Sequence, residues 1–555
     1  DLRMSRGLGD VYKRQVLVGQ ENNDPKAIAE NNELLFFTNY PSGNGQTKSW
    51  LHEHDNRYNC YNESLEVAGG VPVNRPNVLV KKMDQYEITT QAGILHYNMK
   101  WLDDDKGKQK KGAFLKSIWL QTCAYLYTNK IKPTMLEWSC PGSMMEADIN
   151  ELDKIYNSLC KLTPIVGAKT TLAYHQNAVT EAEAVCSYAL SQNFGLNSNN
   201  MFLGIDVGGS TSDILLLAKD SDNGNKATLY RESSVRLAAG VFFNAVIKSD
   251  TFRQALLSFH EGHKTSVYVS NIKEILTEPS KAPYFLNSIF DQLKTTEDYE
   301  EFYSSIDVNA KFVFTIPAYV TGMLLYYSGM LIGKTIKAEH LERISRVDVL
   351  SFGKGGRLFH WLLNSAGVRA TREYYADCLN AGVRMVVGKE LDVVYRDEIA
   401  EDNKAEVAKG LCDPKELEKK AFSSESDICG ESGVKYIMAN GAPKELQAED
   451  ELTGDYFANE MNNFDFSGIE NFEKFMNIFL DFVSVKTHLY PQADNALRSD
   501  LADLPNRIAS YICNNDTEYR KARNSEDGSF HYHQPLIIAE GVCFLDTLIK
   551  KVFDQ

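Results

Sequence analysis

Apolar and polar positions along this chain change period repeatedly, and the changes mark out its elements. In AFLKSIWLQTCAYLYTNK (113–130), Phe114, Ile118, Leu120, Cys123 and Leu126 recur at helical spacing, and Pro133 follows as a stop. TMLEWSCP (134–141) then reads as a strand, ADINELDKIYNSLCKL (147–162) as an amphipathic helix, and TTLAYHQ (170–176) as a short strand. TEAEAVCSYALSQ (180–192) reads as a helix capped by Thr180, with Glu183 at the third helical position as in a capping box. The apolar run MFLGIDV (201–207) closes the series. Strands alternating with helices predict an α/β fold. Upstream, LLFFTNY (34–40) reads as a strand followed by a Pro/Ser/Gly/Asn turn at 41–45.

Similar signals continue downstream. TLYRESSVRLAAG (228–240) predicts a strand and turn, VFFNAVI (241–247) a helix start, and 252–305 a largely helical, acidic section. The stretch between Lys311 and Lys334 carries no charge and is long enough to cross a bilayer. Pro317, Thr321, Gly322, Ser328 and Gly329 interrupt it and no Lys/Arg cluster flanks it, so a buried helix starting near Pro317 is expected, with no membrane span. VDVLSFGKGGRLFHWLL (347–363) reads as strand, glycine turn and helix. VRMVVG (383–388) and LDVVYRD (391–397) read as strands, and DNKAEVAKGLC (402–412) as a short helix. Beyond Asp413, loop-like segments lead to NFEKFMNIFLDFV (471–483) and PLIIAEGVCFLDTLIKKVF (535–553), which predict a mostly helical C-terminal extension.

The length of 555 residues calls for two or three domains. A net charge of -16 argues against a general nucleic-acid binder and leaves no basic face for an anionic membrane. The ten cysteines form no CxxC or Cys/His cluster, which fits reduced thiols in a cytoplasmic protein. Residues 1–15 (DLRMSRGLGDVYKRQ) are basic and lack periodicity or a signal-peptide core. They resemble translated read-end sequence, so a non-native or disordered tail is expected, on a gene fragment whose start lies upstream. Gln46-Thr47-Lys48-Ser49 is half a P-loop, but Thr47 and Ser42 stand where glycines are needed, and a surface turn is the reading.

The chemistry centres on GIDVGGSTSDILLL (204–217), where two apolar runs flank a polar knot. This pattern predicts a tight β-hairpin. Gly208 and Gly209 let backbone N–H groups approach a ligand, Ser210 and Thr211 add hydroxyls, and such a turn can form an anion-binding nest. Asp206 at the strand end is placed to act through Mg²⁺, which takes hard oxygen ligands. The same residues also make an ordinary polar hairpin, and the motif alone does not separate the two. Gly353, Gly355 and Gly356 form a second glycine turn between a strand and a helix, flat enough to seat a planar ring.

Taken in order, these motifs resemble the actin, heat-shock chaperone and sugar kinase superfamily of ATPases, over residues 113–412. GIDVGGSTSD is similar to that family's second phosphate motif, TEAEAVCSYAL to its first connecting helix, VDVLSFGKGGRLF to its adenosine motif and NKAEVAKGLC to its second connecting helix. VRLAAGVFFNAVI is similar to the glycine-plus-helix segment of the chaperone branch. The resemblance implies two ribonuclease-H-like α/β domains around a nucleotide cleft, at 16–198 and 199–412, with a helical insertion at about 252–305 and an extension at 413–555. It implies ATP and Mg²⁺ as cofactors. Asp206 would hold Mg²⁺ through water, Gly208, Gly209, Ser210 and Thr211 would meet the phosphates, and Asp213 would support the metal or the attacking water. Glu181 would orient that water. Gly353, Gly355 and Gly356 would flank adenosine, with Lys354 and Arg357 on the base or phosphate, and Gly240 would be a point of close backbone approach. The family's first phosphate hairpin, an Asp-x-Gly turn, has no counterpart between residues 1 and 97. The expected function is an ATP-binding and ATP-hydrolysing conformational switch acting on a protein partner or client. The alternatives are a nucleotide-dependent filament or scaffold and, less favoured, a small-molecule kinase.

Overall fold

The structure is a computed structural model. It describes residues 134–140, 144, 146–161, 170–172, 179–191, 196–209, 211–220, 226–246, 249–254, 311–396, 406–412, 418–419, 428–437, 441–451, 464–466, 468–515 and 534–553, together with short strands and two isolated helical residues before 116. The helix expected at 113–130 and the acidic section at 252–305 lie almost wholly outside the described residues, as does Ser210.

The chain is a mixed α/β protein with several sheets. Its first sheet uses β1 (Leu2–Met4), β2 (Leu17–Glu21), β3 (Asp24–Ala29), β4 (Thr134–Leu136) and, beyond β5 (Ser139–Cys140) and α1 (Glu146–Cys160), β6 (Thr170–Leu172). Their order is β6-β4-β1-β2-β3. β1, β2 and β3 form an antiparallel meander, while β4 lies parallel to both β1 and β6. β1 thus falls inside the segment read as a tail. β5 pairs in parallel with β7 (Val179–Thr180), which leads into α2 (Glu181–Ser191).

The second sheet repeats this arrangement. β8 (Asn200–Val207), β9 (Ser212–Asp220) and β10 (Lys226–Val235) form the meander. α3 (Ala239–Val246) and α4 (Thr315–Ala338) follow in the chain. β11 (Arg346–Phe352) then lies parallel to β8. After α5 (Arg357–Ala366) and α6 (Val368–Val387), β12 (Asp392–Tyr395) lies parallel to β11. The order is β12-β11-β8-β9-β10, with Glu418–Lys419 added at the β10 edge. β8 is buried along its whole length because helices cover both faces of the sheet. Phe202, Leu215 and Leu217 face α2, whereas Met201, Leu203, Ile205 and Val207 face the core that contains α4. Period-two alternation therefore serves two apolar faces at once.

α4 holds most of the uncharged stretch between Lys311 and Lys334. It is long and apolar enough to cross a membrane, and its apolar window is completely buried in the protein. Its hydroxyls bond within the helix, Thr321 Oγ1 to the Pro317 carbonyl and Ser328 Oγ to that of Leu324. Its glycines form a seam with α6. A Cβ at Gly329 would strike the Leu379 carbonyl, one at Gly382 that of Tyr326, and one at Gly333 the Val386 side chain. The residues that dilute the hydropathy of this stretch are thus the ones that let two helix backbones touch.

One expectation is corrected here. VRMVVG is the last turn of α6, not a strand, and Gly388 ends that helix with φ +66. Val383 extends the buried stripe of Tyr375, Cys378 and Leu379, so helical packing overrides β-branched propensity. The C-terminal extension includes a three-stranded sheet (Lys435–Ile437, Pro443–Glu445 and Phe464–Asp465) before its helices. Those helices are α8 (Glu470–Leu480), α9 (Ala493–Asn515) and α10 (Leu536–Phe553), while α7 (Glu406–Cys412) precedes the extension. Residues of α8, α9 and α10 share one hydrophobic core with α4 and the second sheet.

Candidate nucleotide and metal site

The site forms where β8 turns into β9. Asp206 and Asp213 stand opposite each other in the hairpin register. Like charges directly across a ladder repel, yet both are buried, at 6% and 3% exposure. Glu181, the first residue of α2, is 1% exposed and joins them. One carboxylate oxygen from each of the three lies within 4.8 Å of the others. This is a hard-oxygen donor set, and its chemistry fits Mg²⁺.

The cap of α2 determines which glutamate reaches the site. Glu183 N–H donates to Thr180 Oγ1 at 3.1 Å, and Thr180 N–H donates to Glu183 Oε2 at 3.0 Å. This reciprocal capping box, legible from Thr180 and Glu183 alone, commits Glu183 to the helix end. The Thr180 hydroxyl also donates to Glu232 Oε2 on β10, at 2.9 Å, which anchors the start of α2 to the second sheet. Cys140, at the end of β5, adjoins the cluster. Burial pushes its thiol pKa upward, and Glu181, Glu232, Glu183 and Asp213 push it the same way, so it stays protonated.

The hairpin tip is braced from the side. Gly208 N–H donates to the Thr211 carbonyl at 2.9 Å. The first amides of α3 are spent on hairpin carbonyls, Ala239 N–H on Gly208 at 3.0 Å and Gly240 N–H on Gly209 at 2.9 Å. Gly240 is thus a point of close backbone approach, but to the hairpin itself, since a Cβ there would strike the Gly209 carbonyl. Ser212 Oγ donates to the Leu237 carbonyl at 2.6 Å and ties down the same turn. Thr211 is buried, whereas Gly209 is half-buried at the tip. Ser212 was not singled out in the sequence, and its only signal is a small hydroxyl residue opening a strand.

The second glycine turn seats on the first. β11 runs parallel to β8, so Phe352 and Val207 bring their strand ends to one edge, the position where open α/β sheets form ligand crevices. Gly353 has φ +69, and a Cβ on it would strike Asp206 Oδ1 and lie 2.8 Å from the Val207 carbonyl. Gly355 packs on Val207 and Ala239. Gly356 faces back to Ser351 of its own strand and precedes α5. Lys354 belongs to the short 3-10 turn, and Arg357 is half-buried in the first turn of α5. The structure therefore brings Glu181, Asp206, Asp213, Gly208, Gly209, Thr211, Gly240, Gly353 and Gly355 to one end of the second sheet. α2 is crossed by α7 so closely that a Cβ at Gly410 would strike the Ala184 carbonyl.

No family model matches the chain. No curated protein matches it either.

Proposed function

We propose that the chain is an ATP-dependent conformational switch with the fold of the actin, heat-shock chaperone and sugar kinase superfamily, acting on a protein partner. The observation that carries this reading is the meeting of Glu181, Asp206 and Asp213 at a glycine hairpin onto which a second glycine turn is packed. Two further features support it. Both large sheets have the same meander-plus-two-parallel strand order, the order of a ribonuclease-H-like core. The helices read as the two connecting helices cross in contact, as they would between the halves of such a fold.

In this reading Asp206 holds Mg²⁺, with Asp213 beside it, and the bound ion would neutralise phosphate charge and offset the three carboxylates. Gly208 and Gly209 carry no side chain, so a phosphate can come close to the hairpin tip. Glu181, held at the start of α2 by the cap, accepts a hydrogen bond from the attacking water and orients it in line. Gly353 and Gly355 keep the adenosine side of the crevice low, and Lys354 and Arg357 flank it. Cleft closure and reopening then carry the signal outward.

The test is thermal stability with and without Mg-ATP, in parallel with phosphate release. Nucleotide at about a hundred times its dissociation constant stabilises by about 2.7 kcal/mol. Wild type is expected to shift, Asp206→Ala to lose the shift, and Glu181→Gln to keep the shift while losing phosphate release. No shift in the wild type overturns the proposal.

A further inference from the structure

Away from this site, two carboxyl groups lie together in the core of the C-terminal helices. Glu431 and Glu540 are both 0% exposed. Glu431 acts as a cap for a helix distant in sequence. The residue preceding α8 is Ile469, which has no side-chain acceptor to offer the helix N-terminus. Glu431 supplies it from some forty residues upstream: Oε1 accepts from Asn471 N–H at 2.7 Å and Oε2 from Phe472 N–H at 2.9 Å, while Oε1 also accepts from Ser432 N–H at 2.7 Å. Two N–H donors from a helix N-terminus and a third from Ser432 are the surroundings of an ionised carboxylate.

A carboxylate offers about four lone-pair sites, so Glu431 has one left. Glu540, on α10, is the neighbour placed to meet it: one turn earlier on the same helix, Ile537 N–H donates to the Cys429 carbonyl at 3.4 Å, and Gly430 packs against the Ile537 side chain. Among the described residues neither Glu540 oxygen has a donor facing it. With both groups ionised, two charges would adjoin in an apolar core, and Glu540 would face Glu431 as acceptor against acceptor. One proton resolves both problems.

We propose that Glu540 carries a proton at neutral pH and donates it to Glu431, so that the pair is a buried single-proton binding site joining residues 428–432, the start of α8 and α10. Among the described residues, the titratable groups around it supply no compensating positive charge. Tyr319 and Tyr326 face the pair from α4, Cys429 from the preceding segment and Cys543 from α10, with Asp450 behind Cys429. The nearby cations act elsewhere, Arg384 on Tyr326 and Arg507 on Cys543. Burial raises both carboxyls above the ordinary glutamate range, Glu431 up to about 7 and Glu540 well above its usual value.

The sign follows from linkage. For an acid whose pKa is raised on folding, the stabilisation is complete below the unfolded value, about 4.3, and is lost as pH rises through the folded values. The experiment compares the full chain with Glu540→Gln and Glu431→Gln, by melting temperature from about pH 5 to about pH 8.5 and by the infrared carbonyl band of a protonated carboxyl at neutral pH. Glutamine at 540 keeps the shape and a permanent N–H donor. The expected result is a band in wild type that Glu540→Gln removes, and a melting temperature of Glu540→Gln that gains on wild type by several degrees as pH rises. Glu431→Gln, which turns an amide donor toward the α8 amides, melts lower throughout. Absence of the band, or a Glu540→Gln deficit that is the same at every pH, overturns the proposal. So does a wild-type melting temperature that rises with added Na⁺ or Ca²⁺ while Glu540→Gln does not respond, because a cation would then occupy the pair.

Discussion

Gly353 and Gly388 adopt nearly the same left-handed backbone, φ +69 and +66, but in different surroundings. Around Gly388 an added Cβ meets nothing within 4 Å; at Gly353 it meets Asp206 Oδ1 and the Val207 carbonyl. Gly388→Ala therefore incurs the backbone strain alone, about 1–2 kcal/mol. Gly353→Ala adds a collision with the site carboxylate, and is expected to cost at least about 1 kcal/mol more in urea unfolding and to abolish the Mg-ATP stability shift. Equal costs with the shift retained would show that the turn does not seat on Asp206 as described. At this scale much of the site was legible. Asp206, Asp213 and the glycines stand out as a polar knot between two apolar runs, although the same residues also suit an ordinary hairpin turn. Glu181 was singled out by the resemblance of TEAEAVCSYAL to a connecting helix, and the structure adds that the cap keeps Glu183 at the helix end. The hydrogen bonds of Ala239 and Gly240 to the hairpin were not, because they join backbone groups some thirty residues apart, and backbone pairing of that kind leaves no mark on residue type.

Among the elements, the seam between α4 and α6 shows what periodicity conveys and what it omits. The uncharged run reads correctly as a buried helix, since Pro317, Thr321, Gly322, Ser328 and Gly329 interrupt its apolar character and no Lys/Arg cluster flanks it. Its partner was partly misread, because VRMVVG in isolation has strand composition and only its phase with Tyr375, Cys378 and Leu379 makes it helical. The short strands at 435–465 also escaped notice, being two or three residues long and too brief to show a period. The seam itself carries a prediction. Gly382 abuts the Tyr326 carbonyl and the Gly329 backbone. Gly382→Ala should gain a little helix propensity, below about 1 kcal/mol, and lose about 1–3 kcal/mol to overpacking. Net destabilisation in denaturant is the expected outcome, and a more stable variant would mean that the helices can separate by a methyl width at no cost.

The whole molecule has two sheets of matching strand order and a large core in which the second sheet and the C-terminal helices are continuous. A switch and a filament of this fold make opposite predictions about mass. Head-to-tail assembly needs two complementary patches on every copy, and such patches are commonly apolar at their centres. Among the described residues the large hydrophobics that stand exposed are Val368, Ile437 and Val485, which belong to three different elements. The chain also carries a net charge of -16, which repels copies of itself. If the chain is a switch, sedimentation velocity with Mg-ATP should give the same mass as without it and a higher sedimentation coefficient, and Asp206→Ala should not show that increase. Nucleotide-dependent pelleting of the wild type would decide for the filament. That outcome would leave the site as proposed and reassign what its closure does, because the hairpin would then be gating a contact between copies instead of a contact with a different protein.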